Sequence, residues 1–130
     1  MESKYAFGKT VKTSYDDTIR KATDALAAEG FGVLTTIDVA ATLKKKLGKE
    51  TRPYVILGAC NPNYAHQALE AEPEIGTLLP CNVVVREQAD GATRVDIMDP
   101  KAVLKLTERA DIAPIAAEVR RKLERVLAAI

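Results

Sequence analysis

The run Pro53-Tyr54-Val55-Ile56-Leu57-Gly58-Ala59 has no polar alternation. A half-buried strand alternates and a surface helix repeats every three to four residues, so this run reads as a strand covered on both faces and central in its sheet. It passes directly into Cys60-Asn61-Pro62. Asn61 suits a helix N-cap and Pro62 the first helical position. Tyr64, Ala65, Ala68 and Leu69 then give a helix over 62–72 an apolar face, and Pro73 stops it. A loop from Pro73 to Pro80, turning at Gly76, leads to a second Cys-Asn pair, Cys81-Asn82. Both cysteines, the single histidine and four of the six prolines fall between residues 53 and 81.

The flanking sequence supplies the rest of the fold. Residues 4–11 alternate and read as a strand, with lysines that suit a sheet edge. Ser14 caps a helix whose apolar face is Tyr15, Ile19, Ala22 and Leu26, and Gly30 closes it in a left-handed conformation. Phe31 to Ile37 is a β-branched strand, and Asp38 caps a short helix from Val39 to Leu47 that Gly48 ends. Lys44, Lys45 and Lys46 lie at that helix's C-terminus, where cations complement the dipole; a local anion contact is the alternative. Asn82 to Gln88 and Thr93 to Met98 form a hairpin around Asp90-Gly91, with Val95 and Ile97 inward and Arg94 and Asp96 outward. Asp99 and Pro100 open a short helix to Leu106. From Ile112, the residues Ala116, Val119, Leu123, Val126 and Ile130 keep one helical seam. It packs on the sheet or, alternatively, meets a second copy.

The order of elements predicts an α+β fold: a two-layer sandwich with a five-stranded mixed sheet and helices packed mainly on one face. Residues 1–130 read as a single domain, without internal linker, low-complexity run or repeat. Apolar residues make up 47% and charged residues 28%, with a net charge of +1, so no global field draws nucleic acid or a membrane. Trp is absent and aromatic residues are only 5%, which removes the stacking platforms of single-strand binders. No stretch approaches the roughly 20 apolar residues of a membrane span, and MESKYAFGKT has no apolar signal-peptide core. A cytoplasmic location follows as the expectation, with the two cysteines as thiols rather than a disulfide.

Three chemistries suit the Cys-Asn stretch. Cys60 sits where a strand hands over to a helix N-terminus, a place where ligands bind and thiol acidity can rise. If the strand opening at Cys81 runs antiparallel beside Val55–Ala59, the two sulfurs share one edge of the sheet. Cys60 and Cys81 could then hold a soft metal ion, with His66 as a third ligand one helical turn away. They could instead cycle between dithiol and disulfide, or Cys60 could act as a nucleophile. Inert packing is the remaining reading, since free cysteine is among the most buried residue types. No glycine-rich phosphate loop and no HExxH motif is present, and Glu70, Glu72 and Glu74 read as a solvated rim, with Glu74 able to line a pocket entrance.

The run from Tyr54 to Pro62, followed by Ala65, Ala68-Leu69, Pro73, Gly76 and Leu79-Pro80-Cys81-Asn82-Val83, resembles the bacterial and archaeal family known as domain of unknown function 302. Ile37-Asp38-Val39, Thr42-Leu43-Lys44 and Asp99-Pro100 fit it as well, and the resemblance covers about residues 5–106. It implies a small two-layer α+β domain, a stand-alone cytoplasmic homodimer, and no established activity. The expectation is therefore a dimeric module that binds a small molecule or soft metal ion around Cys60, Asn61, Pro80, Cys81 and Asn82. A thiol-dependent redox protein or enzyme, and a structural or protein-interaction domain, are the alternatives.

Overall fold

The computed structural model describes residues 3–130; Met1 and Glu2, where the predicted domain and the stretch read for a signal peptide begin, lie outside the described residues. The edge strand β1 (Ala6–Val11) leads into α1 (Tyr15–Ala28). Ser14 caps α1 as its pattern predicts, its hydroxyl oxygen accepting from the Asp17 N–H at 3.1 Å. At the other end Gly30 adopts φ +86°, a conformation that costs glycine little and lets Phe31 N–H reach back to the Leu26 carbonyl. The chain then forms β2 (Gly32–Asp38), α2 (Val39–Leu47) and β3 (Tyr54–Cys60). Asp38 caps α2 by accepting from Ala41 N–H at 2.9 Å.

After β3 come α3 (Pro62–Ala71) and a turn of 3₁₀ helix over Pro73–Leu78, where sequence alone suggested an irregular loop. The Leu79–Pro80 peptide is cis. Strands β4 (Cys81–Glu87) and β5 (Thr93–Met98) make the expected hairpin. The chain ends in α4 (Pro100–Leu104), a second 3₁₀ turn (Lys105–Thr107) and α5 (Ala113–Ala129).

The strands form one sheet in the order β1-β5-β4-β3-β2. The predicted two-layer α+β arrangement is present, but every neighbouring pair is antiparallel, so the sheet is not mixed. The reason lies in the connections. β2 to β5 follow one another as a meander, and their helical connections leave and re-enter at the same end. β1 and β2, consecutive in the chain, run parallel, but α1 carries the chain between them from one edge to the other, where they never pair.

One face of the sheet holds the core. Val55, Leu57, Val83, Val85, Val95 and Ile97 alternate inward against Ala22 and Leu26 of α1 and Val119, Leu123 and Val126 of α5. The seam of α5 is therefore buried within its own chain. Arg120 of α5 also stacks over the Phe7 ring at 3.8 Å and pairs with Asp99 at 2.5 Å, joining α5 to β1 and to the cap of α4. A second apolar cluster, Ala68, Ile75, Leu104, Ile112 and Ala116, packs α3, the first 3₁₀ turn and α4 against the start of α5.

Among the described residues no helix covers the other face of the sheet. Ile56, Val84, Arg86, Arg94 and Asp96 on the inner strands are only half-buried, and Ile37 is 49% exposed. This corrects the reading of β3. It lies between β4 and β2, one place from the edge, and its missing alternation does not come from cover on both sides. Ile56 belongs instead to an apolar row on the open face, in register with Ile37 and Val84.

Candidate functional site

The meander brings one end of the sheet together from four directions. β3 ends there at Cys60, β4 begins there at Cys81, β2 begins there at Gly32, and α1 finishes there at Ala28. Cys81 lies directly opposite Ala59 in the ladder, so the conjectured antiparallel neighbour exists and the two Cys-Asn pairs share this end.

Between them and the second apolar cluster is a cavity of about 380 Å³. Its sheet side is formed by Phe31, Ala59, Cys60 and Cys81, and its floor against the main core by Val119. Tyr64, Ala65, Ala68 and Leu69 close it from α3, and Leu104 and Ile115 from α4 and α5. Cavities of small-molecule sites run from roughly 300 to 1,000 Å³, so this one is toward the small end. Beside it, α3 and the 3₁₀ turn bury Ala68 and Ile75 against α4 and α5.

Of the five residues predicted around the site, Cys60, Asn61, Pro80 and Cys81 line the cavity. Asn82 does not: it pairs with Gly58 and is exposed on the open face of the sheet. His66 is also elsewhere. Its side chain is 74% exposed and its Nε2 lies 3.2 Å from Glu70 Oε1, one turn along α3. The lining does not include Glu74. Among the described residues no group of three or more His, Cys, Asp or Glu side chains is placed to hold a metal ion.

The two cysteines have different surroundings. Both are free thiols. Burial, with a smaller contribution from nearby Cys60, pushes the Cys81 thiol up to about 12, so it stays protonated at neutral pH. Cys60 is only half-buried. Because Cys81 faces Ala59, Cys60 is one residue further along, and successive strand residues leave the ladder on opposite sides. A disulfide needs converging Cβ vectors, which this register does not favour.

Asn61 occupies the N-cap position of α3, yet its side chain makes no cap hydrogen bond. Its Nδ2 instead donates to the Glu29 carbonyl at 3.3 Å, where α1 ends. The same carbonyl-bearing residue is held from α5, since Arg125 Nη2 lies 2.8 Å from Glu29 Oε1. That hydrogen-bonded guanidinium lowers the Glu29 carboxyl from its ordinary range. Asn61 is thus the link between the cavity wall and the α1–α5 layer. Sequence reasoning placed it correctly but gave it the wrong partner, because the acceptor is 32 residues away.

Phe31, Leu104, Ile115 and Val119 were not anticipated as cavity residues. Their apolar periodicity is that of ordinary core positions, and only the fold separates those that meet a side chain from those that meet a space. The α3 face Tyr64, Ala65, Ala68 and Leu69 was legible, but as packing surface.

These features define a class: a two-layer α+β protein with one antiparallel sheet, an open sheet face, and an apolar cavity at the sheet end where two Cys-Asn pairs meet. A family model described as "Domain of unknown function DUF302" matches residues 7–130, and the chain belongs to that family. The match extends past residue 106, where the sequence resemblance ended, and takes in α5. A solved structure described as an uncharacterized conserved DUF302 protein from Bacillus stearothermophilus is similar at 29% identity and a TM-score of 0.90, over 98% of each chain. Among curated proteins none matches this chain. No helix of the described residues is long and apolar enough to cross a membrane.

Proposed function

We propose that this protein is a dimeric small-molecule-binding module whose ligand sits in the cavity beside Cys60, Asn61, Pro80 and Cys81. The observation that supports this is the cavity itself. Protein interiors are close-packed, and a space of this size lined by side chains from both layers is a feature of ligand sites. The side-chain chemistry favours an organic ligand over a soft metal ion. Two sulfurs are near the space, one of them kept as a thiol by burial, and His66 is directed to solvent beside Glu70. A soft ion needs thiolates and a fuller set of ligands.

The test is titration with the neutral, environment-sensitive dye 1-N-phenylnaphthylamine. The expected result is saturable enhancement with one dye per chain, lost in Ala65→Phe, which adds bulk to the α3 wall. Leu69→Trp, at a more exposed lining position, is the companion variant if Ala65→Phe perturbs the circular dichroism spectrum. Absence of saturable binding, or binding unchanged in both variants, overturns the reading.

The dimeric part of the proposal rests on the open sheet face. Ile37, Ile56 and Val84 form an apolar row there, and the row continues to Asp96, which pairs with Arg94 at 3.0 Å and Arg86 at 3.8 Å. An apolar strip bordered by both signs of charge is self-complementary, as a two-fold interface requires. Sedimentation equilibrium tests it directly: a species of one chain's mass at every concentration would count against a dimer.

A further inference from the structure

Resting on that binding reading, we propose that the ligand is an uncharged, largely hydrocarbon molecule. None of the residues lining the cavity is Asp, Glu, Lys, Arg or His. The few polar side chains on the wall, Thr35, Asn61 and Tyr64, are matched against long apolar surfaces from five elements. Asn61 already spends an amide hydrogen on the Glu29 carbonyl. A ligand would meet only the Thr35 and Tyr64 hydroxyls and the Asn61 carboxamide as polar side-chain groups on a wall without charge. Cys81, the most enclosed thiol on the wall, remains neutral and adds no charge of its own.

A charged ligand would lose its hydration on entry and find no counter-ion in the wall. The charged side chains Glu29 and Lys122 border a separate groove that shares only Asn61 and Tyr64 with the cavity. Glu29 is engaged by Arg125. Lys122 is thus a cation of the adjoining groove where an anionic head group could find a partner, and it supplies the test.

The experiment is displacement of 1-N-phenylnaphthylamine by three ligands that share a ten-carbon chain: 1-decanol, decanoate and decyltrimethylammonium, each below its aggregation threshold. At about pH 8 decanoate is fully ionised, and both ions should displace the dye about tenfold or more weakly than the alcohol. Lys122→Ala should leave displacement by 1-decanol unchanged. Decanoate displacing as well as the alcohol, with that ability lost in Lys122→Ala, would overturn the inference and assign an anionic amphiphile while leaving the pocket intact. If the dye never binds, the binding reading itself falls, so the two failures are distinct.

Discussion

Gly58 shows how the site limits its own side chains. A Cβ placed there would run into the Thr35 hydroxyl and come within 3.0 Å of Pro80 Cγ. Neither neighbour is the free end of a long chain, so the crowding is not easily relieved. Gly58→Ala should destabilise the protein by about 1–3 kcal/mol, read as a lower midpoint in urea. The two cysteines differ at this scale as well. At about pH 8, iodoacetamide should label Cys60 in the native protein and leave Cys81 unmodified until it unfolds, because the thiolate is the reactive form; peptide mapping would show it, and equal labelling of both would contradict the burial described. Cys81 also has a pH consequence. Its folded pKa, about 12, lies above the ordinary thiol value of 9.0, so the folded state holds its proton more tightly. That contribution to stability is fully present below the unfolded value and is lost as pH rises from about 9 through 12. Cys81→Ala should therefore lose less stability than the native protein between about pH 9 and pH 11, measured by denaturant titration at each pH.

Element boundaries were largely legible because their punctuation is local. Ser14, Asp38 and Asp99 cap the helices they precede, and Gly30 and Gly48 close the helices they follow, each through a bond within a few residues. The α5 seam was equally plain: Ala116, Val119, Leu123 and Val126 are all buried. Its destination was not, since a heptad-like stripe serves a sheet or a partner helix equally well. Leu123 settles this by packing into the core shared with β3, β4 and β5, fully buried. Leu123→Ala should cost about 2–5 kcal/mol, and a smaller loss in chemical denaturation would indicate that the core collapses around the gap. Asn61 marks the limit of local reading. Its sequence context is that of a helix cap, but its hydrogen bond belongs to α1, and no pattern within α3 encodes that. The cavity was hidden for the same reason, because it is made by how far two layers stay apart.

At the scale of the whole molecule, the sheet has one face spent on its own helices and one face without cover. The unalternated run of β3 predicts burial from both sides, since apolar residues on both faces call for two covering layers. Among the described residues no second layer covers that face, which leaves Ile56 between Ile37 and Val84 on an open surface. Ala22 and Leu26 of α1 and Val119, Leu123 and Val126 of α5 all pack on the same side of the sheet. A second copy related by a two-fold axis would supply that cover, bringing apolar row against apolar row and the Arg86–Arg94–Asp96 group against its counterpart. Ile56→Lys tests this without touching the helical core, since the residue is half-buried on the open face. In the native protein the melting temperature should rise with protein concentration, as mass action requires of a dimer. In Ile56→Lys the dimer should give way to a monomer in sedimentation equilibrium, and the melting temperature should no longer depend on concentration. A variant that stays dimeric would place the contact on another surface, and its unchanged dye binding would separate that outcome from damage to the cavity.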